Sequence, residues 1–433
     1  MALVDIIMLA FVFVVLLMIG TPISFSIGLA TIATMLLSIK TMPALTTVAE
    51  RMATGLDSFA LLAIPFFVLS GLFMSRGGIA RRLINFAKVL VGRFPGGLAF
   101  VNIFAAMLFG AISGSAAAAA AAIGGFMVPL MKDEGYDLNF SAAVNITSST
   151  TGLLIPPSNI LIVYSLASGG ASIAALFLAG YLPGILLGVM LMIVAGLISK
   201  KRKYPTVSGI GFKQSAIYFL DAIPSLLLIV IVIGGIIAGY FTATEASAIA
   251  VLYTFILSVM IYREVKWKEI PGILLSTVGT TAIVMLLIGT SMSMSWIMSY
   301  ENIPQNISAA LISITNSKIV ILLIINLILL LVGTFMDMTP AVLIFTPIFL
   351  PVVTQLGINP IHFGIIMVLN LCVGLCTPPV GSVLFIGCGI ANCRIDKVLR
   401  PLLPLFVAMF IALMLVTYIP EISMIVPKLF GFK

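Results

Sequence analysis

The string Gly-Leu-x-x-Pro-Pro occurs twice, at 152–157 and at 374–379, each time inside apolar helical sequence. Proline removes a backbone donor and clashes with the preceding turn, so each helix has to break there. The surrounding breakers repeat as well. Pro129, Gly135, Gly152, Pro156 and Pro157 recur as Pro351, Gly357, Gly374, Pro378 and Pro379, every pair 222 positions apart, as 351 is from 129. Such a shared offset marks an internal duplication, each copy about half the chain.

What a broken helix means depends on the medium, and composition decides that. Of 433 residues, 61% are hydrophobic and 8% charged, with mean hydropathy +1.28. A water-soluble fold cannot hide that much apolar surface, whereas a bilayer dissolves it. In hydrocarbon a break strands polar backbone groups, which is tolerable only against protein, water or a bound ion. Paired breaks at corresponding places in two halves point to a transporter's binding site. The net charge of +8 could suggest nucleic acid, but the basic residues sit in short loops between spans, where they set orientation; nucleic acid is not an expected partner.

Taken in order, segments 3–19, 23–39 and 59–74 each approach the roughly 20 residues a span needs, with 40–57 read as a polar connection. Segment 3–19 lacks a basic leader and a small-residue cleavage site, so it is expected to remain a span. At Ile79–Val91, Arg76, Arg81, Arg82, Lys88 and Arg93 alternate with Leu83, Ile84, Phe86 and Leu90, the pattern of a basic amphipathic helix on a membrane surface or of a solvated connector. Segments 98–111 and 116–131 flank a polar tip, Ser113-Gly114-Ser115, and read as a re-entrant hairpin; the alternative is one kinked helix, too long for a single span. A broken helix over 140–166 and a span over 173–199 complete the first half. The second repeats the plan: spans at 217–238, 243–262 and 273–298, a counterpart of the surface helix at 302–315, a hairpin at 318–351 with its tip within 333–340, a broken helix at 362–389 and a last span at 402–418.

The predicted fold is therefore an all-α polytopic membrane protein of two repeats, each with about five spanning helices, one re-entrant hairpin and one broken helix. An odd number of spans inverts the second repeat. Of the 22 lysines and arginines, this arrangement leaves only Lys40, Arg51, Lys318, Lys428 and Lys433 outside, as the positive-inside rule requires. The chain divides into scaffold helices with a surface helix (1–93), transport elements (94–199), a basic linker (200–216), a second scaffold set (217–316) and a second transport set (317–433).

Hairpins entering from opposite faces bring Ser113-Gly114-Ser115 and Asp337-Met338-Thr339 to the two breaks near the midplane. Each tip presents a helix N-terminus, whose unpaired amides favour an anion. Carbonyls and hydroxyls around Asn145, Thr147, Ser148, Thr150 and Gly152, and around Gly374 and Thr377, are hard oxygen donors suited to sodium. Asp337 is an ionisable group at depth, functional by default, or an N-cap for a helix starting at Pro340. Other residues have plainer readings. Cys372 and Cys376, at i,i+4 spacing, are packing residues rather than metal ligands. Thr242 and Glu245 fit a capping box, His362 an interfacial position, and Trp267 and Trp296 interface anchors. No catalytic constellation accompanies them, so an enzyme is not expected; a channel and a partner-free carrier remain as rivals.

The strings FGAISGSAAAAAAAIGGFMVPLMKDEGY, GLLIPPSN, GYFTATEAS, GTFMDMTPAVLIFTPIFLPV and HFGIIMVLNLCVGLCTPPVGSVLF together resemble the large membrane subunit of tripartite ATP-independent periplasmic (TRAP) transporters, over nearly the whole chain. The resemblance implies a bacterial inner-membrane secondary transporter driven by a sodium gradient, with at least two sodium ions and no organic cofactor. It implies a separate small four-span membrane subunit, a soluble periplasmic binding protein and surrounding lipid as partners. The cargo would be an organic acid anion, a C4-dicarboxylate or a sialic acid, with the sialic-acid branch nearest. Elevator-like movement of hairpins and broken helices against the scaffold is implied too. Carried onto this sequence, the ion sites fall at Ser113, Gly114 and Ser115 with Asn145, Thr147, Ser148, Gly152 and Pro156, and at Gly333, Thr334, Asp337 and Met338 with Gly374 and Thr377. Substrate contacts are expected at Ser115, Thr150, Ser158, Asn159, Asp337, Thr339, Pro379 and Ser382. The nearest alternative is a self-sufficient sodium-coupled anion carrier without a binding protein.

Overall fold

The structure, a computed structural model, describes residues 2–206, 211–315, 317–378 and 380–432. Among these, all regular structure is helical. The first half runs α1 (Ala2–Met18), α2 (Ile23–Ser38), α3 (Thr41–Leu56), α4 (Ala63–Arg76), α5 (Ile79–Val91), α6 (Gly97–Ser113), α7 (Ala116–Asp133), α8 (Leu138–Ser149), α9 (Asn159–Ala167) and α10 (Ile173–Arg202). The second runs α11 (Phe212–Ile237), α12 (Ala243–Phe255), α13 (Ile270–Tyr300), α14 (Ile303–Ile314), α15 (Lys318–Phe335), α16 (Met338–Gln355), α17 (Pro360–Leu375), α18 (Ser382–Ala391), α19 (Ile395–Tyr418) and α20 (Glu421–Leu429). Shifted by the duplication offset, the starts of α6 to α10 fall within one residue of those of α15 to α19.

Helices that belong to different halves interlock reciprocally. α4 packs on α12 as α2 packs on α13; α7 lies on α18 as α16 lies on α9; α8 meets α19 as α17 meets α10. Each pair is one contact generated twice by a two-fold relation. Thr150 and Cys372 are duplication mates, and the Cys372 thiol donates to the Thr150 carbonyl at 3.4 Å across 222 positions. Mates can touch only beside the axis that exchanges them. With the five spans per half that the sequence predicts, that axis lies in the membrane plane.

The core is built on the broken helices. Every residue of α17 from Ile361 to Leu375 is buried, as is every residue of α8 from Phe140 to Ser149. Among the described residues nine helices are long and apolar enough to cross a membrane, and they include the hairpin arms α7, α15 and α16. Length alone therefore does not separate re-entrant arms from spans; the meeting of the tips does.

Three expectations need correction. Segment 40–57 is not a polar connection but the helix α3, whose Ala44 and Val48 pack one turn apart against Met35 and Ile297. Its counterpart in the second half is the leading part of α13, which runs unbroken for 31 residues. α20, which was not expected, packs on α10 and α17. And α5 does not lay its apolar face on lipid: Ile79, Leu83, Ile84 and Ala87 are buried, with α6 and α11 over them. Its basic side is tied to the second half by Arg82 to Asp221 at 3.1 Å and Arg81 to Glu264 at 2.7 Å, and by Arg82 stacked 3.6 Å over the Tyr262 ring.

The start of the linker is docked. Tyr204 stacks on Tyr136 with ring centroids 4.3 Å apart, and the Tyr136 hydroxyl donates to the Pro205 carbonyl at 2.9 Å. α10 itself continues through Arg202, so the break between halves falls later than position 200.

Candidate functional site

Both predicted breaks are present. α8 ends at Ser149, a single 3-10 turn covers Thr151–Leu153, and α9 begins only at Asn159. In the second half α17 ends at Leu375 and α18 begins at Ser382. Each break is pressed against the arm of its own hairpin through glycine. A Cβ on Gly152 would lie 2.3 Å from the Gly110 Cα, and one on Gly374 2.7 Å from the Gly333 Cα. The glycine of the repeated motif is thus a close-crossing residue, as small residues are between membrane helices.

A cavity of about 230 Å³ lies where these parts converge. Gly114 and Ser115 of the first tip line it, with Asp337, Met338 and Thr339 of the second, and Asn159 and Ser382 from just beyond the two breaks. Four helices, α7, α9, α16 and α18, point their N-termini into it. A helix start leaves amides without intrahelical partners and carries partial positive charge. In α7 this is moderated, because the Ser115 hydroxyl accepts from the Ala118 amide at 3.2 Å. In α9, α16 and α18 no side chain caps the N-terminus. Gly114 makes the first tip possible by adopting φ +62°, which lets α6 stop abruptly.

Asp337 opens onto the cavity. It occupies the N-cap position of α16, which starts at Met338 rather than Pro340, but its side chain makes no capping hydrogen bond. The partner of its carboxylate is the amide of Met338, the first residue of α16, and no amide deeper in the helix.

Other predicted residues are not among those lining the cavity. The hydroxyls of Thr147, Ser148 and Thr150 bond back to the carbonyls of Ala143, Asn145 and Thr147 at 2.9, 3.2 and 3.0 Å. Thr334 and Thr377 do the same to Leu330 and Val373, since the carbonyl a turn earlier is the nearest acceptor a buried hydroxyl can reach. Ser158 bonds to Leu153 inside the break, and the Ser113 hydroxyl to the Ser115 carbonyl at 3.5 Å. Pro156 is buried in the first break; Pro379 lies outside the described residues.

The structure adds participants that the sequence did not announce. Ile64 and Val68 of α4 and Thr280 and Val284 of α13 form the remaining wall of the cavity. Asn370, buried on α17, donates to Asn326 at 2.8 Å, while its own Oδ1 has no partner; the Oδ1 of Asn145 on α8, a residue the sequence did point to, is likewise buried and unpartnered. At the second break a Cβ on Gly381 would meet the carbonyls of Leu375 and Thr377 at 2.4 and 2.8 Å, so two carbonyl oxygens converge there. The repeat offset could have flagged Gly381, which stands where the first half has Asn159.

The plainer readings mostly stand. Thr242 and Glu245 form a capping box, and Cys372 and Cys376 are free and buried. Among the described residues no group of three or more His, Cys, Asp or Glu could hold a metal. His362, read as interfacial, is instead buried, its Nδ1 2.6 Å from the Ser423 hydroxyl of α20.

An all-helical membrane fold, duplicated about a two-fold relation and with a cavity where the two hairpin tips meet the helix starts beyond the two breaks, is that of a membrane transporter. The chain belongs to the Tripartite ATP-independent periplasmic transporter, DctM component, family, whose profile matches residues 10–422. It is 56% identical over 419 residues to "Uncharacterized protein YgiK" of Salmonella typhimurium, covering 97% of this chain and 96% of that one. It is 39% identical to the "C4-dicarboxylate TRAP transporter large permease protein DctM" of Rhodobacter capsulatus, covering 96% and 98%. It is also 39% identical to the "Sialic acid TRAP transporter large permease protein SiaM" of Vibrio cholerae, covering 96% of each. In fold it is similar to the Alcanivorax borkumensis YdaH transporter, with a TM-score of 0.65 at 13% identity over 88% of this chain and 89% of that one. The chain is thus a large permease component of a tripartite transporter, in the bacterial inner membrane.

Proposed function

We propose that this permease imports an organic acid anion, a C4-dicarboxylate or a sialic acid, coupled to sodium and dependent on a small membrane subunit and a periplasmic binding protein. The observation that carries the reading is the cavity ringed by four helix N-termini, three of them uncapped. Their combined field favours an anion between the tips. Asp337 adds a negative charge at the same place, which would repel that anion unless a cation offsets it. The unpartnered buried amide oxygens of Asn145 and Asn370, one in each half, and the carbonyls around Gly381 are hard donors of the kind sodium takes. In this reading sodium enters first, draws the breaks and tips together and completes the anion site. The hairpins, broken helices, α10 and α19 then slide against α1 to α4 and α11 to α13.

The test is uptake by proteoliposomes under an imposed sodium gradient, with and without the small subunit and candidate binding proteins. Uptake should require all of them, and Asp337→Ala should abolish sodium-dependent uptake while the protein still accumulates in the membrane. Unchanged uptake by the variant would remove Asp337 from the site; uptake without a binding protein would identify a self-sufficient carrier instead.

A further inference from the structure

A second recess, of about 560 Å³, lies far along the chain from the tips, where the last turn of α10 meets the first turns of α19. Lys201, Arg202, Lys397 and Arg400 surround it, against a single carboxylate, Asp137. That carboxylate is already engaged, with Arg202 3.6 Å away. Among the described residues Lys201, Lys397 and Arg400 have no carboxylate within ion-pair distance. Three unneutralised cations around one hollow repel one another unless an anion is present. Below the charged rim the wall turns apolar, through Ile198, Pro401 and Pro404. Beside it Leu197 and Leu403, 65% and 63% exposed, present bare aliphatic surface on the same two helices.

We infer that this recess binds the phosphodiester headgroup of an anionic phospholipid, with the acyl chains running down the outer faces of α10 and α19. A soluble phosphate would satisfy the cations but not the apolar slope beneath them; a lipid satisfies both. The position is also the one lipid phosphates occupy, since the basic residues lie at helix ends where a span leaves the hydrocarbon. Both helices belong to the transport sets, so the bound lipid would travel with, or hold back, the part of the molecule proposed to move.

The experiment is native mass spectrometry of the detergent-purified full chain titrated with phosphatidylglycerol or phosphatidylcholine, with inorganic phosphate as a separate arm. Phosphatidylglycerol should be retained in preference to phosphatidylcholine and should not be displaced by millimolar phosphate. Replacing both Lys201→Gln and Arg400→Gln should weaken retention roughly 30-fold, at the strength expected per basic residue near a lipid surface. The charge-keeping pair Lys201→Arg and Arg400→Lys should retain the lipid, as should Lys428→Gln, which lies in a different recess. Equal retention by the double glutamine variant, equal retention of the two lipids, or displacement by phosphate alone would overturn the inference.

Discussion

Gly152 and Gly374 were legible as helix breakers, but what they do is let two backbones cross. Replacing Gly152 with alanine puts a methyl 2.3 Å from the Gly110 Cα, with no flexible side chain to give way. Overpacking of this kind costs about 1–3 kcal/mol, so Gly152→Ala should lower the thermal unfolding midpoint in detergent, while Gly125→Ala, with nothing within 4 Å of the added Cβ, should not. The hydroxyl run 147–151 teaches the opposite lesson. Its polarity suggested ion ligands, and each hydroxyl donates to a carbonyl a turn earlier, which spends its hydrogen and leaves its oxygen lone pairs, because sequence reports which groups are polar and not which acceptor is nearest. At the linker, burial pushes the Tyr136 phenol up to about 12, so it remains a donor to Pro205. A raised tyrosine pKa contributes stability that is complete below the usual tyrosine range and lost as pH rises through about 12. Tyr136→Phe should therefore cost about 1 kcal/mol, by the same amount at neutral pH as at mildly alkaline pH in paired thermal scans.

At the scale of elements, the breaks, the hairpin arms and most spans could be read from proline placement and apolar run length. α3 could not, because a helix pressed on protein along a narrow stripe needs few apolar residues. Ala44 and Val48 supply that stripe, and low mean hydropathy concealed it. Val48 is 6% exposed, so Val48→Asp buries an unpaired charge and should cost ~3 kcal/mol or more; Ala49→Asp, on the outer side of the same helix, should leave the midpoint unchanged. The difference between the halves is also an element-scale fact. The first half separates α3 from α4 at Asp57 and Ser58, whereas α13 crosses the equivalent place as one helix and there contributes Thr280 to the cavity. The duplication is thus read faithfully in the hairpins and broken helices and loosely in the helices that precede them, where the two copies diverged.

For the whole molecule, the offset between repeats carried the two-fold architecture, and the helix-breaking residues located the cavity. The walls contributed by α4 and α13 were not legible, since Ile64, Val68 and Val284 are ordinary lipid-span residues until the fold turns them inward. Everything proposed about transport rests on the two hairpin tips facing one another across a shared cavity. In a background with Cys372, Cys376, Cys388 and Cys393 replaced, Ser115→Cys and Thr339→Cys can be joined by a short bifunctional thiol reagent and scored on a gel after proteolysis between the halves. The pair should cross-link in the membrane-embedded permease, while either cysteine alone does not, and the linked protein should lose uptake. A pair that fails to link, or links without affecting uptake, would contradict the account.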